Sequence, residues 1–208
     1  MTQTAIQPTV PRPPATYEDL CKVPEHFRVE IIDGDLIVSP RPSSPHANAS
    51  IDIAMEVRSR FGRGTPPGGW WILLEPELHM GKPDPRSCVL VPDLAGWRRE
   101  RMPLLPSVPA FTMTPDWVTE VLSPGSARHD RIRKGDIYAG LGIPWFWIVD
   151  PAEEVLEVYE LRDGVYARIQ AFDGRKTIRA RPFDTVDIDM THWWMPLPEP
   201  SQEAPPGT

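Results

Sequence analysis

A chain of 208 residues with 25% charged and 40% apolar side chains is long enough for one domain with an ample core and has an ordinary globular composition. Its formal net charge of −7 argues against nonspecific coating of nucleic acid, although a local patch can still bind it. The longest apolar run falls short of a membrane span, the N-terminus lacks a signal-peptide pattern, and Cys21 and Cys88 form neither a metal pattern nor a disulfide framework, which fits a cytoplasmic protein with no membrane partner.

Proline is frequent, at 27 residues, and concentrates at the two ends. Residues 1–15 and 196–208 read as a disordered Pro-rich leader and tail, which leaves a folded domain over 16–195. Thr16 suits the N-cap of a short helix whose first turn carries Glu18 and Asp19. Residues 28–38 form a hairpin about the two-residue turn Asp33-Gly34, so that Ile32 faces Asp35, Ile31 faces Leu36 and Glu30 faces Ile37. Glu30 is thereby an acidic residue inside an apolar strand, as a site residue or as a partner for Arg28 on the same face.

Ser44 as N-cap and Pro45 in the first turn open a helix whose apolar face is traced by Ala47, Ile51, Ala54, Met55 and Phe61. His46 at its start reads as a surface or capping residue rather than a catalyst. A loop follows over 62–69. Trp70–Leu74 is a strand that Glu75–Met80 continues irregularly, and 81–86 is a turn. Val89–Ala95 is the next strand, with Pro92 marking an edge position or an end near Asp93. Residues 98–114 form an excursion loop that starts with a cluster of Arg98, Arg99 and Arg101.

Residues 117–122 are a strand apolar on both faces, with Glu120 in its middle. A carboxylate there is costly to bury unless it is paired or holds a metal. The helix that follows carries Asp130, Lys134 and Tyr138 at every fourth residue, along one face. Two readings stay open at this point: a hydrolytic metal site, or a core Glu120 paired with Lys134. Trp145–Val149 is a second buried strand, so a βαβ crossover links it to the first. A hairpin about Asp163-Gly164 joins 155–161 to 165–172, short strands near 176–180 and 183–188 complete the domain, and Trp193 and Trp194 cover an apolar surface. The fold class is α+β with an α/β-like core: a mixed β-sheet with flanking helices and additional β-hairpins.

A single Mg²⁺ requires oxygen ligands at about 2.0–2.1 Å. Asp116 lies four residues before Glu120 on one strand, roughly 13 Å away, too far to share an ion. Asp84 falls in a turn between prolines. Asp93, on a separate strand that can lie beside that of Glu120, is the favoured partner.

Pro92-Asp93 followed by Glu120-Val121-Leu122 resembles the split acidic motif of the PD-(D/E)XK nuclease superfamily. More specifically, the chain resembles the bacterial putative restriction endonuclease family within it. The matching pieces are Glu30 to Gly34, Pro40 to His46, Val91 to Leu94, Glu120 to Pro124, Asp130 with Lys134 and Tyr138, and Gly142 to Pro151. Pro-Asp alone is a weak signal; the ordered set at these spacings, over about 20–190, is a strong one. One departure stands out. The superfamily's Lys follows the second acid by two residues, and that position is Leu122 here; in the resembling family the Lys lies on the next helix, which Lys134 fits.

The resemblance implies a restriction-endonuclease-like fold and Mg²⁺- or Mn²⁺-dependent hydrolysis of phosphodiester bonds in DNA. Asp93, Glu120 and the Val121 carbonyl would bind the ion, and Lys134 would orient water or stabilise developing charge. Glu30 would hold a second ion through water, and Tyr138 would hydrogen-bond Lys134 or the phosphate. Arg128, Arg131, Arg133 and Lys134, opposed only by Asp130 and Asp136, form a local phosphate-binding surface or, for Arg131 and Arg133 in particular, a solvated helix face. The family's habit and the apolar Trp193, Trp194 and 155–172 segments imply a homodimer. A catalytically idle binding or assembly module and a hydrolase of a small phosphorylated substrate are the alternatives.

Overall fold

The computed structural model describes residues 14–62, 68–81, 88–123 and 129–196. The leader up to residue 13, the tail from 197, most of the loop at 62–69 and of the turn at 81–86, and Arg128 lie outside the described residues. In chain order the elements are α1 (Tyr17–Cys21), β1 (Arg28–Ile32), β2 (Asp35–Ser39), α2 (Ser44–Phe61), β3 (Trp70–Leu74), β4 (Leu78–Met80), β5 (Cys88–Leu90), β6 (Leu94–Arg98) and β7 (Trp117–Val121). A π-helix (His129–Lys134) then runs into α3 (Gly135–Gly140), followed by β8 (Trp145–Asp150), β9 (Val155–Arg162), β10 (Val165–Asp173), β11 (Thr177–Ile178) and β12 (Ile188–Asp189). The chain divides into two compact units: Met1–Arg41 with Glu77–Val91 and Val108–Met113, and Pro42–Pro76 with Pro92–Ser107 and Thr114–Thr208.

The first unit holds a four-stranded sheet in the order β2-β1-β5-β4. Its hairpin has the expected register, Ile32 to Asp35 and Glu30 to Ile37, because Asp33 and Gly34 both take positive φ, at 52° and 81°. That is the twist a two-residue hairpin turn needs. Thr16 caps α1 through a reciprocal capping box with Asp19.

The second unit is built on a six-stranded sheet in the order β10-β9-β8-β7-β6-β3. The β7–β8 pair is parallel, as the crossover reading requires, and its neighbours pair antiparallel. The two faces of β7 have different companions. Trp117 and Val121 join Trp147 and Val149 in a core with Ala49, Ile53, Val57 and Phe61 of α2. Val118 and Glu120 pair with Phe146 and Ile148 on the other face, where Tyr138 of α3 packs against Phe146 with ring centroids 5.5 Å apart. A mixed six-stranded sheet with helices on its faces, together with the antiparallel four-stranded sheet of the first unit, makes this the α+β, restriction-endonuclease-like fold the sequence implied.

Several expectations are corrected. The cap of α2 is Ser43, not Ser44. Its buried ladder is His46, Ala49, Ser50, Ile53, Ala54, Val57 and Phe61, whereas Ile51 and Met55 are 52% and 63% exposed. Ala54 and Phe61 of the expected face are buried, whereas Ala47, Ile51 and Met55 lie one residue out of phase with the buried ladder. Glu75 has φ 44°, which ends β3 and sends the chain to β4 in the other sheet. The strand expected over Val89–Ala95 is two strands of different sheets, parted at Val91-Pro92-Asp93, where proline offers no N–H to a ladder. Trp193 and Trp194 are buried within the second unit's own core, so they leave no apolar surface for a partner copy.

Candidate active site

Six polar side chains, those of Asp93, Glu120, His46, Ser123, Lys134 and Tyr138, converge where β6 begins and β7 ends. The pairing Leu94 to Thr119, continued by one residue, sets Asp93 opposite Glu120. The backbone N–H of Val121 donates to Asp93 Oδ2 at 2.6 Å, which ties the two strand ends together. On its other oxygen, Asp93 Oδ1 lies 3.0 Å from His46 Nε2, and His46 Nδ1 lies 3.1 Å from Ser123 Oγ. From the α3 side, Lys134 Nζ donates to Glu120 Oε1 at 3.0 Å and the Tyr138 hydroxyl donates to the same oxygen at 2.5 Å.

The burial of this group is nearly complete. Asp93, Glu120 and Lys134 are each 1% exposed and Tyr138 is fully buried. Two carboxylates in such surroundings demand compensating charge and hydrogen bonds. Glu120 has an ammonium and a phenol, and Asp93 has a peptide N–H and an imidazole. Lys134 ends a π-helical turn, a rare conformation that recurs at functional sites, and Tyr138 lies one α-helical turn further on. Four residues apart, the two side chains share one helix face, which lets both reach one oxygen.

Sequence reasoning brought Asp93, Glu120, Val121, Lys134 and Tyr138 to one place, and all five lie there. Glu30 belongs to the first unit, where its Oε1 accepts from the Val91 N–H at 2.8 Å while the Arg28 guanidinium donates to the Val91 carbonyl. His46 is corrected from a surface or capping residue to a buried one. The signal that could have found it is its phase: His46 precedes Ser50, Ile53 and Val57 on the buried ladder. Lys134 is buried on Glu120 and so is no part of a basic surface. The arginine cluster is likewise engaged. Arg98 stacks on Trp70 at 4.6 Å, Arg99 stacks on Trp71 at 3.7 Å and donates to the Gly62 carbonyl, and Arg101 pairs with Asp116 at 2.7 Å.

A metal ion fits the chemistry of the donor set. Two buried carboxylates and the Val121 carbonyl are hard oxygen donors, which suit Mg²⁺ or Mn²⁺. Among the described residues no three or more His, Cys, Asp or Glu side chains form a metal-holding group. A set of two carboxylates and a peptide carbonyl does not call for one.

The fold and this site define a restriction-endonuclease-like protein. The chain belongs to the Uma2 family, described as putative restriction endonucleases, whose model matches residues 14–191. It is similar to a crystal structure described as a putative nuclease from Anabaena variabilis, with a TM-score of 0.68, 22% identity, and coverage of 86% of this chain and 97% of that one. At that identity the likeness establishes the fold. No curated protein matches the chain. Among the described residues no helix is long and apolar enough to cross a membrane.

Proposed function

We propose that the protein is a PD-(D/E)XK-type, Mg²⁺- or Mn²⁺-dependent endonuclease that hydrolyses phosphodiester bonds in DNA. The observation that carries this reading is the meeting of Asp93, Val121, Glu120, Lys134 and Tyr138 at the adjoining ends of β6 and β7, in a chain of this family. Asp93, Glu120 and the Val121 carbonyl would hold the ion. When bound, such an ion polarises the phosphate and lowers the pKa of an attacking water. Lys134 keeps a fixed positive charge beside the Glu120 carboxylate, ready to stabilise negative charge as it develops. Tyr138 fixes the same carboxylate from a second direction, which limits reorganisation during the reaction. Glu30 is proposed to hold a second ion through water.

A homodimer is proposed as the working assembly. With Trp193 and Trp194 in the interior, the support is the family resemblance and the outer edge of β10, which among the described residues pairs with β9 alone in its sheet. Light scattering at tens of micromolar tests it, a range far above a nanomolar dissociation constant. A catalytically idle binding module is the second reading, favoured because Glu120 Oε1 is already held by both Lys134 and Tyr138.

Calorimetric titration of Mn²⁺ into the wild type and Asp93→Ala, coupled to plasmid nicking, separates the two. The nuclease reading expects binding and nicking by the wild type and loss of both in Asp93→Ala. A site that binds no metal, in a wild type that does not nick, supports the idle module. Equal binding by wild type and variant removes the metal site from Asp93.

A further inference from the structure

We propose that His46, braced by Ser123, is a positioning residue that holds the Asp93 carboxylate in its metal-binding orientation. The inference rests on the proposed role of Asp93 as a ligand. Its basis is a continuous chain of contacts from Ser123 Oγ to His46 Nδ1 at 3.1 Å, from His46 Nε2 to Asp93 Oδ1 at 3.0 Å, and from Asp93 Oδ2 to the Val121 N–H at 2.6 Å.

The proton inventory sets the direction of each bond. An ionised carboxylate only accepts, so His46 Nε2 must carry the hydrogen that it shares with Asp93. In the neutral ring Nδ1 is then the acceptor, and Ser123 donates its hydroxyl hydrogen to it. The Asp93 carboxylate thus fixes the tautomer, and the Ser123 hydroxyl, which can donate to the bare Nδ1, holds the ring in the orientation that reaches Asp93. The ring cannot ligate an ion through Nε2 while that nitrogen is protonated.

The local fold supports the same role. His46 lies in the first turn of α2 and is buried at 5% exposure, and its own carbonyl accepts from the Ser50 hydroxyl at 2.9 Å. Ala49, Ile53 and Val57, further along the same helix face, are packed into the core with no exposed surface. The imidazole therefore projects from a rigid element. Ser123 sits two residues beyond Val121, so the segment that supplies a peptide carbonyl to the proposed ion also supplies the brace for the ring. Asp93 is then fixed from both sides, by a helix through Oδ1 and by a strand through Oδ2. A ligand held in this way loses little freedom when an ion arrives, and removing such an outer partner weakens metal binding by about 10–100-fold.

The test measures Mn²⁺ affinity by calorimetry on folded protein, well below the melting transition in EDTA. His46→Leu is expected to bind about 10–100-fold more weakly than the wild type. His46→Gln, which restores an N–H near the position of Nε2, is expected to recover most of that affinity. Ser123→Ala, at a half-buried position, is expected to weaken binding without lowering the melting temperature, and it carries the test if His46→Leu fails to fold. Pulsed EPR of bound Mn²⁺ is expected to show no directly coordinated imidazole nitrogen. Wild-type affinity in His46→Leu or in Ser123→Ala, a Gln variant no better than Leu, or a coordinated imidazole would each overturn the proposal. A wild type that binds Mn²⁺ no better than Asp93→Ala would instead overturn the metal-site reading itself, and this inference with it.

Discussion

Lys134 Nζ and Glu120 Oε1 lie 3.0 Å apart in a setting where both side chains are 2% exposed or less. The pair is the structural partnership that the sequence offered as one alternative, and it stands where the proposed catalytic role needs it. A buried carboxylate needs this cation whether or not chemistry follows.

Lys134→Met separates the two contributions because it retains the packed stem and removes the charge. The variant is expected to lose about 3–5 kcal/mol of stability without metal, the usual result of stranding one member of a buried pair. Metal affinity persists, since Lys is no ligand, and Mg²⁺ restores part of the stability by neutralising Glu120. Plasmid nicking falls by about 10²–10³. Urea denaturation with and without Mg²⁺, beside turnover, reads all of these. Unchanged melting together with unchanged nicking would remove any role for Lys134.

Tyr138→Phe removes only the hydroxyl that reaches Glu120 at 2.5 Å. The ring stays packed on Phe146. Hydrogen bonds to charged groups contribute about 1.5–3 kcal/mol, so a loss in that range is expected in urea denaturation, with an unchanged m-value. A loss below about 0.5 kcal/mol, the low end for any hydrogen bond, would show that the phenol carries little of Glu120's burial.

The legible parts of this fold were those encoded over a few residues. Asp33-Gly34 and Asp163-Gly164 set both hairpins, and the apolar run about Glu120 marked a strand buried on two faces. Glu120, Lys134 and Tyr138 were legible because a buried charge needs a partner within reach. The parts that were not legible depend on contacts distant in sequence. His46 owes its burial to Asp93, 47 residues away, and to Ser123, 77 residues away. The apolar Ala47, Ile51 and Met55 mask the competing phase of Ala49, Ile53, Ala54 and Val57 that carries His46 inward. Nor could an apolar run mark where Val91-Pro92-Asp93 parts two sheets. The π-helical turn before Lys134 has no period of its own in the sequence.

Acid should loosen the C-terminal segment in a specific way. The Thr191 hydroxyl, with the Thr191 N–H at 2.8 Å, holds the Asp189 carboxyl below its ordinary value. A depressed folded-state pKa means stability that is fully present above the unfolded value of about 4 and is lost as the pH falls through the lower folded value. Asp189→Asn keeps an accepting oxygen but does not titrate. Its stability should therefore fall less steeply than the wild type's as the pH drops below about 4. Trp fluorescence is a suitable readout, because the buried Trp193 and Trp194 follow this turn directly. Parallel acid profiles would show that the Asp189 contact does not contribute.

Gly96 tests how tightly β6 is held against β7. A Cβ at this position would come within 3.0 Å of Ile72 Cδ1, 3.0 Å of Trp117 Cε3 and 3.3 Å of Trp70 Cε3. The Ile72 methyl is the end of a flexible chain and can turn aside. The Trp117 ring cannot, since Trp147 at 5.2 Å and Phe183 at 5.0 Å hold it edge-on and it is completely buried. Gly96→Ala is therefore expected to cost about 1–3 kcal/mol, as overpacking of a core does. The strain falls at the Trp117 end of β7, paired with Gly96, while Asp93 bonds to Val121 at the opposite end of that strand. Metal affinity at low temperature should thus match the wild type while the urea midpoint falls with an unchanged m-value. An equal loss of metal affinity would mean that β6 transmits the displacement along its length to Asp93. An unchanged midpoint would mean that the aromatic core yields where its packing says it should not.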